Sequence, residues 1–284
     1  MTKRIVDIPM QIAKQRLNTG FVLLKNGFLF LSMLSVLLGL SSCEKVIQLD
    51  LNNTTPRIVI EGTIYDHRGP YTIKISRSVN FDESSVYPPV TGARVEISDN
   101  IGQTEILSES KSGTYVTSDL RGIPGHIYQL TVKTAEGTFS SSATMPAPVE
   151  MDSIYFSLSP FSGDKVTTVR FTDPPFTKNF YRLVYIINKV QQQGFYLFKD
   201  ELFQGSSIRY SLNSRGSDIK LLNGDSVTVW LESIDDRVFE YFRTVGTDGG
   251  QSASPSNPVS NISNGALGYF NACSVRAISA KVGK

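Results

Sequence analysis

The sequence is poor in the residues that build catalytic and metal centres. Its 284 residues include two cysteines, two histidines and one tryptophan. Two cysteines allow one disulfide at most, so hydrophobic cores rather than a disulfide framework must hold the fold together. His67 and His126 stand beside turn residues, and neither supplies by itself the four nitrogen or sulfur ligands of a structural zinc site. Both are expected to be turn or surface residues.

The motifs of common enzyme classes are also missing. There is no Gly-x-Ser-x-Gly elbow, no His-Glu-x-x-His pair and no phosphate-binding glycine loop. Cys273 lies in a strand-like stretch and is expected to be a buried small hydrophobic residue rather than a nucleophile. The carboxylate pairs Asp82-Glu83 and Asp235-Asp236 lack a calcium-loop spacing, which favours helix capping or solvation over a hard-cation site. We therefore expect no enzyme activity, no metal and no cofactor.

The sequence lacks a long apolar run but has a short one near its start. Residues 28–40, FLFLSMLSVLLGL, are uncharged, and this run is shorter than the about 20 residues that span a bilayer. It is typical of the apolar region of an export signal, with Lys25 as the positive flank. The alternatives are an ordinary cleaved signal peptide with a chance cysteine after it, or a buried core helix.

The run ends in Leu40-Ser41-Ser42-Cys43, which resembles a bacterial lipobox. In a lipobox the cysteine sulfur carries diacylglycerol, and two acyl chains hold a protein on a membrane more stably than one. We expect residues 1–42 to be a lipoprotein signal peptide with an over-extended start, and Cys43 to be lipidated. Residues 43–56 are then a short polar tether that follows the anchor.

Removal of residues 1–42 changes the charge of the chain. Residues 43–284 carry 23 Lys and Arg against 25 Asp and Glu, a net charge of −2. No basic run remains in this part, so we expect no nucleic-acid partner.

Alternation of apolar and polar residues dominates the chain from residue 57 onward. In ARVEISD, Ala93, Val95 and Ile97 fall on one face, and similar runs recur about every ten residues between Gly- and Pro-rich breaks. The pattern predicts a mostly β protein with two tandem antiparallel β-sandwich domains of Ig-like or transthyretin-like type. The first domain spans residues 57–147, and MPAPVE at 145–150 is the predicted linker.

The second predicted domain, residues 148–284, carries one amphipathic helix. The segment SIDDRVFEYFRTVG predicts a helix at about 234–246 with Asp235 and Asp236 at its positive end. Its apolar stripe consists of Val238, Phe239, Phe242 and Val245. A Gly-, Ser- and Asn-rich loop follows at 247–266, and loops of that length are functional or mobile.

Aromatic residues are the candidates for ligand or partner contact. Trp230 alternates with the apolar residues of its strand, so it is either covered by the helix and loop or presented to a partner. Together with the loop it predicts a contact surface for a partner or for a stacked glycan or peptide. The candidate residues are Trp230, Tyr241, Asn257, Asn261, Tyr269 and Phe270.

Several blocks of the chain resemble the DUF4249 family of lipoproteins from Bacteroidetes-type bacteria. They are CEKVIQLDL, IVIEGTIYD, VTGARVEISDNIGQ, VFEYFRTV and NPVSNISNGALGYFNACS. The resemblance implies an outer-membrane lipoprotein whose gene tends to accompany a TonB-dependent transporter, and it implies no established enzyme activity. Only Glu44 is acidic directly after Cys43, so the resemblance leaves open whether the protein faces the cell surface or the periplasm.

Two functions follow as hypotheses. The first is a non-enzymatic accessory subunit that docks on a TonB-dependent β-barrel transporter and takes part in nutrient capture. The alternative is a stand-alone surface lipoprotein that binds a glycan or a peptide directly.

Overall fold

The computed structural model describes residues 55–80, 86–159, 163–200, 205–212, 219–247 and 258–283. Asn53–Lys284 form one compact unit. The predictions for the signal peptide, Cys43 and most of the tether lie outside the described residues. Among those residues, no helix has the length and apolar character needed to cross a membrane.

The described residues form sixteen strands and one helix, so the mostly β class is confirmed. In chain order they are β1 Ile58–Tyr65, β2 Thr72–Arg77, β3 Arg94–Asp99, β4 Thr104–Ile106, β5 Ser108–Lys111, β6 Thr114–Val116, β7 Ile127–Thr134, β8 Gly137–Thr144, β9 Met151–Leu158, β10 Lys165–Thr172, β11 Phe180–Ile187, β12 Val190–Gln191, β13 Tyr196–Lys199, β14 Ser207–Leu212, β15 Ser226–Ile234, α1 Asp236–Thr247 and β16 Leu267–Lys281.

The strands form one large sheet and two smaller ones. The large sheet has the order β12-β11-β15-β16-β1-β2-β6-β5, with β13 paired to β11. The smaller sheets have the orders β4-β3-β7-β8 and β14-β10-β9. Each small sheet shares a buried apolar core with part of the large sheet, which is the layered arrangement of a sandwich.

Most residues of the first core precede the predicted linker and those of the second core follow it, but the first core also contains four residues between 262 and 272. Met145 is buried in the first core and Val149 in the second. Strand β16 contributes to both, with Phe270 in the first core and Ile278 against the second. The large sheet is therefore continuous across the two cores, because β16 belongs to both. The boundary at residues 147 and 148 stays a prediction.

One strand pair departs from the antiparallel expectation. Strands β1 and β16 pair in parallel, with Ile60 opposite Gly268 and Tyr65 opposite Cys273. Gly268 has a φ of 94°, and a Cβ atom there would lie 2.0 Å from the Ile60 carbonyl oxygen. Only glycine allows the two backbones to approach this closely, so Gly268 is required for the pairing.

Helix α1 begins and ends close to its predicted bounds. Asp235 precedes it, and the amide of Val238 donates to the Asp235 carboxylate at 2.9 Å, which caps the first turn. Val238, Phe239 and Phe242 are buried in a third, smaller apolar cluster. The predicted helix is confirmed, and three of the four residues of its predicted stripe are buried, while Val245 is half-buried outside this cluster.

Candidate functional site

The face of the large sheet that α1 covers holds a buried ion pair. Arg182 on β11 and Glu232 on β15 are cross-strand partners, and their side chains meet at 3.2 Å. Only 1% of the Glu232 side chain is exposed, and this burial raises the pKa of its carboxyl group although the Arg182 charge opposes the rise. Phe242 of α1 stacks on the Arg182 guanidinium at 4.1 Å from the ring centre. Helix and sheet thus close over the pair.

Two of the predicted contact residues pack together beside this pair. The rings of Tyr241 and Tyr269 are 4.8 Å apart, and Phe242 lies 4.9 Å from Tyr269. Burial raises the pKa of both tyrosine hydroxyls. Both side chains are half-buried, so most of their ring surface is used between helix and sheet.

Trp230 lies on the same face of β15 as Glu232, two residues before it. Its indole is half-buried and meets the Tyr65 ring edge-on at 6.3 Å. Its partner on β16 is Ala277, whose side chain is exposed. We name the patch formed by Tyr65, Trp230 and Ala277 the Trp230 surface. It combines an aromatic edge with open sheet face.

The remaining predicted contact residues have other positions. Phe270 is fully buried in the first core, so its side chain has no surface to offer a ligand. The Asn261 amide holds the Phe270 backbone, donating to its carbonyl at 2.8 Å and accepting from its N–H at 2.9 Å. This amide fixes the segment before β16 against the strand. Asn257 lies outside the described residues.

The histidines and Cys273 take up structural contacts. His126 Nδ1 is 3.1 Å from the Asp99 carboxylate, and His67 stacks on Tyr65 at 5.4 Å. Cys273 is fully buried, which raises the pKa of its thiol well above the ordinary range and agrees with the expected small hydrophobic role. Within the described residues, no group of three His, Cys, Asp or Glu side chains is arranged to hold a metal ion.

A cleft lies between strand β8 and the first turns of α1. Its volume is about 700 Å³, within the usual range for ligand pockets. We name it the β8–α1 cleft. Its lining consists of Gln129, Ser140, Ser141, Ser142, Asp236, Arg237, Glu240, Val259, Ser260, Asn261, Ile262 and Ser263.

Local hydrogen bonds build the two ends of this cleft. At one end Ser263 binds the edge of β8, with its N–H donating to the Ser140 carbonyl and its hydroxyl accepting from the Ser140 N–H, each at 2.8 Å. At the other end the Asp235 carboxylate accepts the Thr144 N–H at 3.2 Å while it caps α1. One carboxylate therefore joins strand and helix.

Comparison with known proteins assigns the chain to a family. The family model described as "Domain of unknown function (DUF4249)" matches residues 44–279. The chain belongs to the DUF4249 family. No curated protein matches it. The solved structures that match include a chain from work on host cell surface retention of a 1.5-MDa bacterial ice-binding adhesin. It is 11% identical, covers 82% of this chain and 67% of its own, and has a TM-score of 0.22, too low to bear on fold or function.

Most residues that line the cleft of this DUF4249 protein were missed by sequence reasoning. The alternation of GTFSSSATM indicates only a strand, yet its serines at 140–142 form one wall of the cleft. The usable signal was three consecutive small hydroxyl side chains in a strand, which leave room beside the backbone. Among the predicted contact residues that the structure describes, only Asn261 lines the cleft.

Proposed function

We propose that the chain is a non-enzymatic, lipid-anchored binding protein of the cell envelope. Cys43 holds it on the outer membrane, and the β8–α1 cleft receives the ligand. The observation that carries the proposal is the cleft itself, about 700 Å³ of space walled by hydroxyl, amide and charged side chains. Such a wall offers hydrogen bonds to a polar ligand, and Val259 and Ile262 add apolar contacts.

The titratable groups of the chain support binding over catalysis in this proposal. Glu232 pairs with Arg182, and Asp235 holds two backbone amides. Glu240, in the wall of the cleft, is paired with Arg243 on the next turn of α1. Each carboxylate with a shifted pKa at these positions is occupied by a structural contact.

A TonB-dependent β-barrel transporter is the partner that we propose. The family resemblance implies that genes of DUF4249 lipoproteins tend to accompany the gene of such a transporter, which suggests this partner. The Trp230 surface is the docking patch in this proposal. A half-buried indole is typical of interface anchors, because it buries a large area at little cost in conformational entropy. In this role the lipoprotein captures a nutrient and presents it to the barrel.

The second candidate is a stand-alone glycan- or peptide-binding lipoprotein. The cleft favours it, since none of the residues that line the cleft belongs to the Trp230 surface. Ligand binding then needs no barrel.

Extraction of the full-length protein from membranes in mild detergent tests the proposal. We expect the wild-type chain to fractionate with outer membranes and to co-purify with a β-barrel protein, and the Cys43→Ser variant to appear in the soluble fraction. An unmodified Cys43 in intact-mass measurements would contradict the anchor. Failure to recover a barrel, with ligand binding retained, would favour the stand-alone function.

A further inference from the structure

The edge of β8 that faces the cleft has a defined backbone register. In an antiparallel pair, alternate residues direct both main-chain groups at the neighbouring strand. The Met145 N–H donates to the His126 carbonyl at 2.9 Å. In this register the odd-numbered residues of β8 direct their main-chain N–H and C=O groups at β7. The main-chain groups of Ser140, Ser142 and Thr144 therefore point away from the sheet, toward the open edge.

Two of these three edge positions are already bonded. Ser263 takes both main-chain groups of Ser140, and Asp235 takes the N–H of Thr144. Between them, the N–H and C=O of Ser142 have no hydrogen-bond partner among the described residues, and Ser142 lines the cleft. The cleft thus presents one donor and one acceptor, side by side, on a fixed strand.

We propose that the β8–α1 cleft binds a short peptide in extended conformation, with one peptide residue paired to the main chain of Ser142. This inference rests on the proposed function of the cleft as a ligand site. An extended residue directs its own N–H and C=O to the same side, which matches the pair on Ser142. The trans amide of an N-acetyl sugar directs these two groups to opposite sides, so a single sugar amide cannot make both bonds.

The closed ends of the cleft restrict the peptide to a short stretch. Ser263 and Asp235 occupy the neighbouring edge positions, so an added strand cannot continue along β8 without displacing them. Asp236 and Arg237 are exposed in the lining and carry opposite charges, and Glu240 in the same lining is neutralised by its pair with Arg243. The walls therefore favour neither sign of charge, and recognition through the main chain tolerates different peptide sequences.

A proline substitution at Ser142 tests the contribution of its main-chain N–H to binding separately from that of its side chain. Proline is tolerated on an edge strand where the N–H faces away from the sheet, which is the case at Ser142. Ser142→Pro removes the donor and leaves every β7–β8 hydrogen bond in place. Ser142→Ala is the matched control, because it removes the hydroxyl and keeps both main-chain groups.

The experiment uses the full-length protein in detergent and two probes. One is a mixture of acetylated, amidated pentapeptides randomised at each position, and the other is an N-acetylglucosamine tetramer. We expect peptides to slow deuterium uptake in the segment that contains Ser142, in the wild type and in Ser142→Ala. In Ser142→Pro the affinity for the tightest peptide falls about tenfold, the loss expected for the hydrogen-bonded contact.

The outcomes separate this inference from the proposed function. Equal peptide affinity in Ser142→Pro and wild type overturns the inference. Binding of the tetramer but not of peptides also overturns it, while the proposed binding function stands. Binding of neither probe in the cleft, together with no barrel partner, overturns both.

If Ser142→Pro does not fold, a modified peptide ligand still tests the inference. Replacing each amide of the tightest peptide in turn by an ester removes one ligand N–H at a time and leaves the protein unchanged. One position is expected to lose about fivefold in affinity, because its N–H donates to the Ser142 carbonyl. Uniform affinity along the ester series overturns the inference.

Discussion

Arg182 and Glu232 face each other across β11 and β15 with their charged groups 3.2 Å apart, and the carboxylate is 1% exposed. Loss of the arginine would leave a buried carboxylate without its counter-charge. We expect Arg182→Met to lower the free energy of unfolding by about 3–5 kcal/mol. Urea denaturation measures this change. Arg243→Met is the control, because Arg243 pairs with Glu240 on the surface and its loss should change the free energy of unfolding far less.

The raised pKa of Glu232 also makes stability depend on pH. Burial raises this pKa above its ordinary value of 4.5 in the folded state, so the folded protein binds the proton more tightly than the unfolded chain. The contribution is stabilising at low pH and is lost as pH rises from 4.5 through the folded pKa. As pH rises through this range, we expect the free energy of unfolding to fall less for Glu232→Gln than for the wild type. Urea unfolding in a pH series measures the difference, and parallel curves would contradict it.

Local patterns in the sequence predict the elements of this fold well. Alternating residues such as Val95 and Ile97 mark β3, because a strand with one buried face shows period two. The stripe through Val238 and Phe242 marks α1 because a helix repeats every 3.6 residues. Both signals lie within one element, so neighbouring residues suffice to detect them.

The pairing and the site depend on contacts between distant residues. Nothing near Ile60 indicates that it pairs with Gly268 at the other end of the chain. Alternation along β15 places Glu232 opposite the apolar Val229 and Leu231, and it is buried nevertheless because α1 covers that face. The cleft requires β8, α1 and the segment before β16 together. These features could not be predicted from the sequence alone.

Asp235 connects the helix to the edge of β8, and its removal should loosen both. Asp235→Ala removes the acceptor for Val238 and Thr144, and we expect the free energy of unfolding to fall by about 1–2 kcal/mol. Asp235→Asn keeps a capping oxygen and should lose less. Hydrogen exchange would show faster uptake at the first turn of α1 and at the end of β8 in the alanine variant. Unchanged exchange at Thr144 would contradict the bridging role.

Gly268 is the glycine whose substitution should damage the fold most directly. Its φ of 94° disfavours any other residue, and an added methyl group would collide with the Ile60 carbonyl. We expect Gly268→Ala to cost about 3 kcal/mol or more, from backbone strain and overpacking together. Gly283→Ala is the control, because no atom lies within 4 Å of its added Cβ. Equal thermal midpoints for the two variants would rule out the close approach of β1 and β16.

Substitutions of Trp230 test the docking of a partner separately from the folding of the chain. If the Trp230 surface binds a β-barrel partner, Trp230→Ala should reduce co-purification of that partner at least tenfold, since aromatic anchors carry about 2 kcal/mol or more of interface energy. Trp230→Phe should retain part of it, because the smaller ring still covers Tyr65. Phe176→Ala is the control for loss of an exposed aromatic ring, since 95% of Phe176 is exposed.

Ligand binding in the cleft should survive all three substitutions, because the cleft and the Trp230 surface share no residue. Loss of partner and ligand together in Trp230→Ala would mean that the two surfaces act as one.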